Sequence, residues 1–504
     1  MTLKKSLITC AITLALSTTF AANANIDNKK QSSSVLVSQV STTATGNSLA
    51  IDQTSLQGLG NDVLVSQQGD GLSATVTVNG DGNSTEIDQK QNQNLSISNT
   101  NGDNNALQLS QDGEWNGAIT EITGDENSAT IEQNGAGFFG INNEVINTLQ
   151  GDANTIEVVQ QDGGHWFYNF DLQGNSNTIS SSQAGLLNEA TLNAISGDEN
   201  TIEVTQNGLF NALTVSELSG NENELVIDQE GNFNGTTVES IRGDENTLEV
   251  EQVGDSNTVT IATIEGNGNT LEVDQEGNNN AFSSELFSGN NNELSVTQIQ
   301  DNNQVSGDIV GDDNELTVMQ NGTSNETYLG VIGANNEFLS NQIGNENSAH
   351  IANFNGENND VNLVQAGDMN TALIQSSYPD TSLTSNQNDI SFNQSGNENE
   401  AVITFSSVVD SNNNSVDFVQ DGSLNAIDLM MEGSNHSIDI SQQGDMNMVA
   451  GIGGGAFVVA GDSVNLAVSQ VGNGNLVEGY ITGSNSSVVI TQVGDYNTAT
   501  VTQE

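Results

Sequence analysis

The chain of 504 residues carries 66 acidic against 6 basic residues, a formal net charge of −60, with 34% hydrophobic and 4% aromatic content. This balance argues against nucleic acid and anionic lipid as main ligands, since affinity for both comes mostly from Lys and Arg. Low apolar content with high net charge ordinarily reads as disorder, but a repeat runs through nearly the whole sequence and overrules that reading for an assembled state.

In chain order, residues 1–24 read as a secretory signal. Lys4 and Lys5 precede an apolar run from Leu7 to Leu16, and Ala22-Asn23-Ala24 forms a small-residue cleavage site, with cleavage expected after Ala24. The segment holds the only cysteine, Cys10, which starts the apolar core rather than following it. The mature chain would keep Lys29, Lys30, Lys90 and Arg242 against the 66 acidic residues, four against 66 or −62, with no thiol for disulfides or metal. No later apolar stretch is long enough to span a bilayer. A short segment, 25–34, leads into a repeat array at 35–504.

The array is marked by a glutamine that returns every 22 or 23 residues or so, from Gln39 through Gln206, Gln229, Gln252 and Gln275 to Gln492. Each unit reads G-[DN]-x-N-x-Ω-x-Ω-x-Q-x-G-x-x-N followed by a second alternating run, where Ω is apolar. In N200-T-I-E-V-T-Q206, Asn200, Ile202, Val204 and Gln206 share one face of a strand. Asn211 opens a return run with Leu213 and Val215 inward, and Gly and Asn suit the corners between runs. The expected fold is all-β: a two-sided parallel β-solenoid of about twenty rungs. Expanded loops are expected near 134–150, 375–386 and 448–461, the second holding the only proline, Pro379.

A buried amide must be hydrogen-bonded, and identical stacked amides satisfy one another. The expected ladder therefore runs through Asn200, Gln206 and Asn211; Asn223, Gln229 and Asn234; Asn246, Gln252 and Asn257; and Asn269, Gln275 and Asn280. An isolated rung should not fold. Ordering one costs on the order of 20–40 kcal/mol, against about 10 kcal/mol from its inward apolar groups. Acidic residues fall in corners (Asp198, Glu199) and at outward positions (Glu203, Glu249, Glu272). Carboxylates one rung apart repel by about 0.9 kcal/mol before screening, which makes salt or divalent cations a candidate requirement for stacking.

The last unit carries Ser486, Gln492, Gly494, Asn497, Ala499 and Gln503, in the pattern S-x5-Q-x-G-x2-N-x-A-x3-Q. This resembles the repeat of curlin, the subunit of curli, the amyloid fibres of bacterial surfaces. Most other units depart from it: they begin with Asn rather than Ser, and Glu217, Ser240, Thr263 and Leu286 take the place of the second Gln. The resemblance implies secretion through a dedicated outer-membrane channel, with accessory factors and a nucleator. It also implies self-polymerisation into cross-β fibres for adhesion and biofilm matrix, with the ladder positions tied to assembly. A complete unit ending next to Glu504 is in turn an expected template for another molecule.

Other candidate sites have simpler readings. Asp410, Asn412 and Asn414 resemble the start of an EF-hand loop, but Ser415 replaces its glycine and Asp421 its final Glu. His165, His350 and His436 show no ligand spacing. His165-Trp166-Phe167-Tyr168 reads as a bulkier rung, and Gly451–Gly461 as an expanded apolar strand rather than a phosphate loop. Neither an enzyme nor a cofactor is expected. The rival reading is a monomeric acidic solenoid, an adhesin or an ice- or cation-binding repeat protein; the outward residues before the ladder Gln form no Thr ladder of the kind ice binding uses.

Overall fold

The computed structural model describes residues 23–29, 33–41, 46–55 and 59–504, apart from 136–141, 194, 221, 222, 244, 267, 287, 289, 290, 292, 310–314, 333, 334, 377–382, 384, 406 and 407. It is all-β, with no helix among the described residues, and folds as a parallel β-solenoid in two compact units, Met1–Gln252 and Val253–Glu504. In each unit a coil has one arm that carries the ladder glutamine and one return arm. Each arm pairs in parallel with the like arm of the next coil, as Gln67↔Gln89↔Gln111 does in the first unit and Gln394↔Gln420↔Gln442 in the second.

A coil of 22 residues divides evenly. Ala106–Asp112 and Gly117–Thr123 are seven-residue arms, and four residues turn each corner. Alternation then places Leu107, Leu109 and Gln111 opposite Ala118, Thr120 and Ile122, all buried. Most corners open on a glycine with no room for a side chain: a Cβ on Gly102 (φ 138°) would overlap the Gly124 carbonyl oxygen of the next coil. The residue before the corner asparagine is also left-handed. Asn fills that place at position 104 (φ 59°), but Glu126 (φ 61°) and Trp115 (φ 67°) adopt the same conformation, so the expected Gly and Asn preference is only partly kept.

A coil of 23 residues has one residue too many, and it appears in the return arm. After Gln206 the return strand shortens to Ala212–Thr214; Ser216 (φ 46°) and Glu217 (φ 69°) turn left-handed, and Leu218 is buried. A strand alternates every residue, so one extra residue would turn Leu218 to solvent; the left-handed pair absorbs it. The device recurs at Glu239 and Ser240 before Ile241 and, in the second unit, at Thr263 before Ile264. Registers jump where the two lengths meet. Asn147↔Asn169 is followed by Leu149↔Leu172, and Leu329↔Ile351 by Val331↔Phe354. One expectation is thereby corrected: Glu217, Ser240 and Thr263 do not take the inward place of a second Gln, which belongs to Leu218, Ile241 and Ile264, one residue later, although Ser240 is buried beside Ile241. Leu286 is likewise left-handed and exposed.

The expanded regions fall differently. Glu144–Gln150 is a return arm, so the first expansion lies in the preceding corner, where 136–141 are outside the described residues. Pro379 and most of its loop are also outside them. The third interrupts a return arm: Met448–Ala450 and Phe457–Ala460 both pair with Ala426–Glu432, on either side of a turn through Gly453 and Gly454 (φ 81° and 86°). Ala22 lies outside the described residues. Asn23–Lys29, which contains Ala24, forms a return arm on Ser48–Thr54.

Candidate assembly ladder

The glutamines form one column in each unit. Gln67 Nε2 donates to Gln89 Oε1 at 2.9 Å, and the same bond runs coil by coil through Gln206→Gln229 and Gln229→Gln252, both 2.9 Å. In the second unit the column runs from Gln275→Gln298 at 2.7 Å to Gln470→Gln492 at 2.9 Å. The other amide hydrogen crosses to the return sheet, to the carbonyl of Ser73 from Gln89 (3.1 Å) and of Glu189 from Gln206 (2.9 Å). That partner lies 16 residues back in one coil length and 17 in the other, which counts out the extra return-arm residue. Within each unit the described glutamine donors point the same way along the chain, and long insertions do not break the column: Gln365→Gln394 is 2.8 Å across 29 residues.

The asparagines bracket the corners. Before the glutamine arm, Asn177 and Asn200 each send Nδ2 to the Oδ1 of the preceding corner asparagine, Asn200 to Asn177 at 2.8 Å. The direction reverses at Asn223, whose Nδ2 donates forward to Asn246 at 2.9 Å. The Oδ1 atoms of Asn200 and Asn223, both buried, are left without a partner among the described residues. A buried unsatisfied acceptor costs about 1–3 kcal/mol, so this reversal is a fault in the stack. Asn269 is buried at the same register. After the glutamine arm, the Oδ1 of Asn211 accepts the backbone N–H of Asn234 (3.0 Å), while Asn211 Nδ2 reaches the Gly231 carbonyl (2.9 Å). Asn257 and Asn280 repeat that bracket, from Asn280 N to Asn257 Oδ1 at 3.0 Å. In the last coil Asn497 donates to Asn475 Oδ1 (2.8 Å), Gln503 Nε2 to Ser486 Oγ (2.9 Å), Gly494 is left-handed (φ 105°), and Ala499 pairs with Val477.

Two histidines occupy asparagine places in this ladder, a role their lack of ligand spacing did not suggest. The alignment of Q160-Q-D-G-G-H165 with the repeat's Q-x-G-x-x-N is the signal that finds the first. His165 Nδ1 accepts the Asn188 N–H (3.3 Å) while Nε2 meets the Gln161 carbonyl (2.7 Å). His436 does the same with Val464 N–H (3.2 Å) and the Glu432 carbonyl (3.2 Å). An imidazole serves here only when neutral, with Nε2 carrying the proton. Burial lowers both pKa values, opposed by the two carbonyls and by Asp162 and Asp462.

Outward, carboxylates stand in register. Asp360 pairs with Asp389 and Asp417 with Asp439; burial first, then the stacked neighbour, raises Asp360 and Asp417. Asp228 is raised by burial and then by Glu251, Glu230 and Glu203. The aromatic run splits across the sheet: His165 and Phe167 are buried, while Tyr168 donates to Glu144 Oε2 (3.1 Å). Asn414 of the EF-hand-like stretch sits in the asparagine ladder, donating to Asn388 (2.9 Å). Among the described residues, no group of three or more His, Cys, Asp or Glu is placed to hold a metal, and no helix is long and apolar enough to cross a membrane.

The curlin associated repeat matches residues 58–90, 102–135, 243–277, 311–339 and 412–444. These five matches, spread along the chain, support a curlin-family protein. No curated protein matches it. The matched stretches include curlin repeats of both lengths, 102–135 around a 22-residue coil and 243–277 around a 23-residue one. Curlin repeats wound into a solenoid of amide ladders point to a structural, non-enzymatic role.

Proposed function

We propose that this curlin-repeat chain is a secreted subunit of curli-like extracellular fibres, growing by in-register stacking of coils between molecules and serving adhesion and biofilm matrix. The supporting observation is the uniform direction of the glutamine column, in which each coil presents to the next the same donors and acceptors it receives. A coil with an open edge therefore offers another copy the contacts made inside the chain. Asn200, Gln206, Asn211 and their equivalents, with Ser486, Gln492, Asn497 and Gln503, would carry the assembly. An outer-membrane channel, accessory factors and a nucleator are the partners that the family implies.

Seeded growth of the purified full chain, followed by fibre diffraction, tests the reading. Seed-dependent fibres with a meridional reflection at about 4.7–4.8 Å are expected. A chain that stays a folded monomer with seeds present would favour the monomeric adhesin.

A further inference from the structure

The two corners of a coil share a backbone but not a chemistry. In both, the residue before the asparagine is left-handed, a conformation that Gly and Asn accept and larger side chains enter at a cost of roughly 1–2 kcal/mol. The corner after the return arm fills it with polar or small residues: Glu126, Ser176, Glu199 and Glu245 in the first unit. The corner after the glutamine arm holds Trp115 (φ 67°), Leu187 (φ 59°), Phe210 (φ 59°) and Phe233 (φ 60°). Phe210 and Phe233 are 47% and 59% exposed, and Leu209 beside them is 36% exposed. The backbone stacks these corners directly, with Phe210 N–H on the Leu186 carbonyl and Phe233 N–H on the Leu209 carbonyl (3.0 and 2.8 Å). Leu187 is buried, but Phe210 and Phe233 stand in water at the position of the coil least suited to them, in consecutive coils, on one corner only. Coil stability does not account for this, because Asn does the same backbone work at Asn104 and Asn279.

We propose that the ridge of Leu186, Leu209, Phe210 and Phe233 is a lateral docking surface for a second copy of this chain. The two phenyl rings lie parallel, 5.1 Å apart and 4° from coplanar, so they cover each other's faces and offer edges outward. That arrangement fits an apolar ridge better than a sugar ring, which needs an open face. Charge selects the copy. A chain of formal charge −60 repels itself wherever its carboxylates stand. The turns Gly185–Leu187, Gly208–Phe210 and Gly231–Phe233 carry none, with the exposed Glu230 as a flanking carboxylate, whereas the opposite corners carry Asp198, Glu199 and Glu245 within the turn. This corner is where two copies approach with least repulsion, and their coils rise at the same spacing, so the knobs of one ridge match the gaps of another. A four-residue ridge falls well short of the roughly 1,200 Å² that stable complexes bury. Its strength comes from repetition along stacked copies, a step that rests on the fibre reading above.

The test uses the full chain with Cys10→Ser. One thiol is placed on the exposed flank of the ridge (Asn207→Cys) or, separately, on the opposite corner (Glu199→Cys), and each variant is treated with a bismaleimide in soluble and pelleted fractions. Intermolecular crosslinking at least about fivefold stronger from position 207 is expected. Adding Leu209→Asn, Phe210→Asn and Phe233→Asn should bring it down to the level of position 199 without lowering the thermal midpoint, since Asn tolerates the left-handed turn. Equal crosslinking from the two positions overturns the proposal, as does undiminished crosslinking in the Asn variant. A lowered midpoint overturns it too, by assigning the ridge to coil stability. Crosslinking in the soluble fraction without seeded growth would remove the fibre reading and leave the lateral surface standing.

Discussion

The coils between Asp62 and Asn134 and those between Thr178 and Thr237 use the same ladder residues and differ by one residue in length. In the first group the return arms run seven residues, as in Leu95–Asn101 and Gly117–Thr123. In the second they shrink to Glu189–Asn193, Ala212–Thr214 and Gly235–Thr237. The stretch most regular in sequence is therefore the less regular in structure. An even coil keeps both arms in phase, whereas an odd coil must spend left-handed residues to return its inward side chains to the core. Burial survives the change, since Leu218 and Ile241 stay inside, and backbone bonds between coils continue past the strand ends, from Glu217 N–H to the Asn193 carbonyl (2.6 Å) and from Glu239 N–H to the Val215 carbonyl (2.8 Å). The longer coil keeps side-chain phase and much of its backbone bonding, and gives up only the regular strand conformation.

The corner glycines give the largest expected difference. A Cβ on Gly102 would overlap the Gly124 carbonyl oxygen, while on Gly220 the nearest atoms are the carbonyl oxygens of Gly243 at 2.6 Å and Arg242 at 2.8 Å. Gly102→Ala should destabilise its coil by about 3 kcal/mol or more and Gly220→Ala by roughly half as much, read by local hydrogen exchange. Equal losses would mean that the corner after a lengthened return arm turns as tightly as the same corner in the shorter coils. Next in size, deleting Glu217 should convert that coil to 22 residues, extend its return strand toward seven residues, and gain about 1–2 kcal/mol by removing the left-handed pair. Protection of the amides after Ala212 would rise; a fall would contradict the one-extra-residue account.

A pH prediction follows from the histidines. Both have folded pKa values below the ordinary 6.5, so the neutral form supplies the stability. It is fully present above pH 6.5 and lost as pH falls toward the folded values, by about 1.4 kcal/mol per pH unit at most. Amides beside His165 and His436 should lose protection between pH 7 and 5 while those beside Asn211 do not, and His436→Asn should flatten its own profile. Stacked carboxylates act in the opposite sense, because Asp228, Asp360 and Asp417 are raised and acid relieves their repulsion. The smallest effect is ionic: raising NaCl should stabilise coils with registered carboxylates by a few tenths of a kcal/mol each. A salt-independent midpoint would remove those columns from the account.

Period, two-sided strand pattern and buried glutamine were all legible in the sequence, because a period of 2 and a recurring polar residue have few physical solutions. The location of the extra residue was not. Glu217 and Leu218 are adjacent, and only the backbone conformation tells which one faces inward. The reversal at Asn223 was also illegible, since an amide donates in either direction and composition does not record which. His165 could have been found by register alone, but a histidine prompts a search for metal partners before a search for an asparagine it replaces.

The central claim is that one amide column holds coils of both lengths. Gln111→Ala and Gln206→Ala test it together, with hydrogen exchange read in Ala106–Asp112 and Thr201–Leu209. Each substitution orphans buried amide groups above and below, so both arms should open about 100-fold or more in excess of the parent, to a similar degree. Strong deprotection at Gln111→Ala with unchanged protection at Gln206→Ala would show that the longer coils are held by something else.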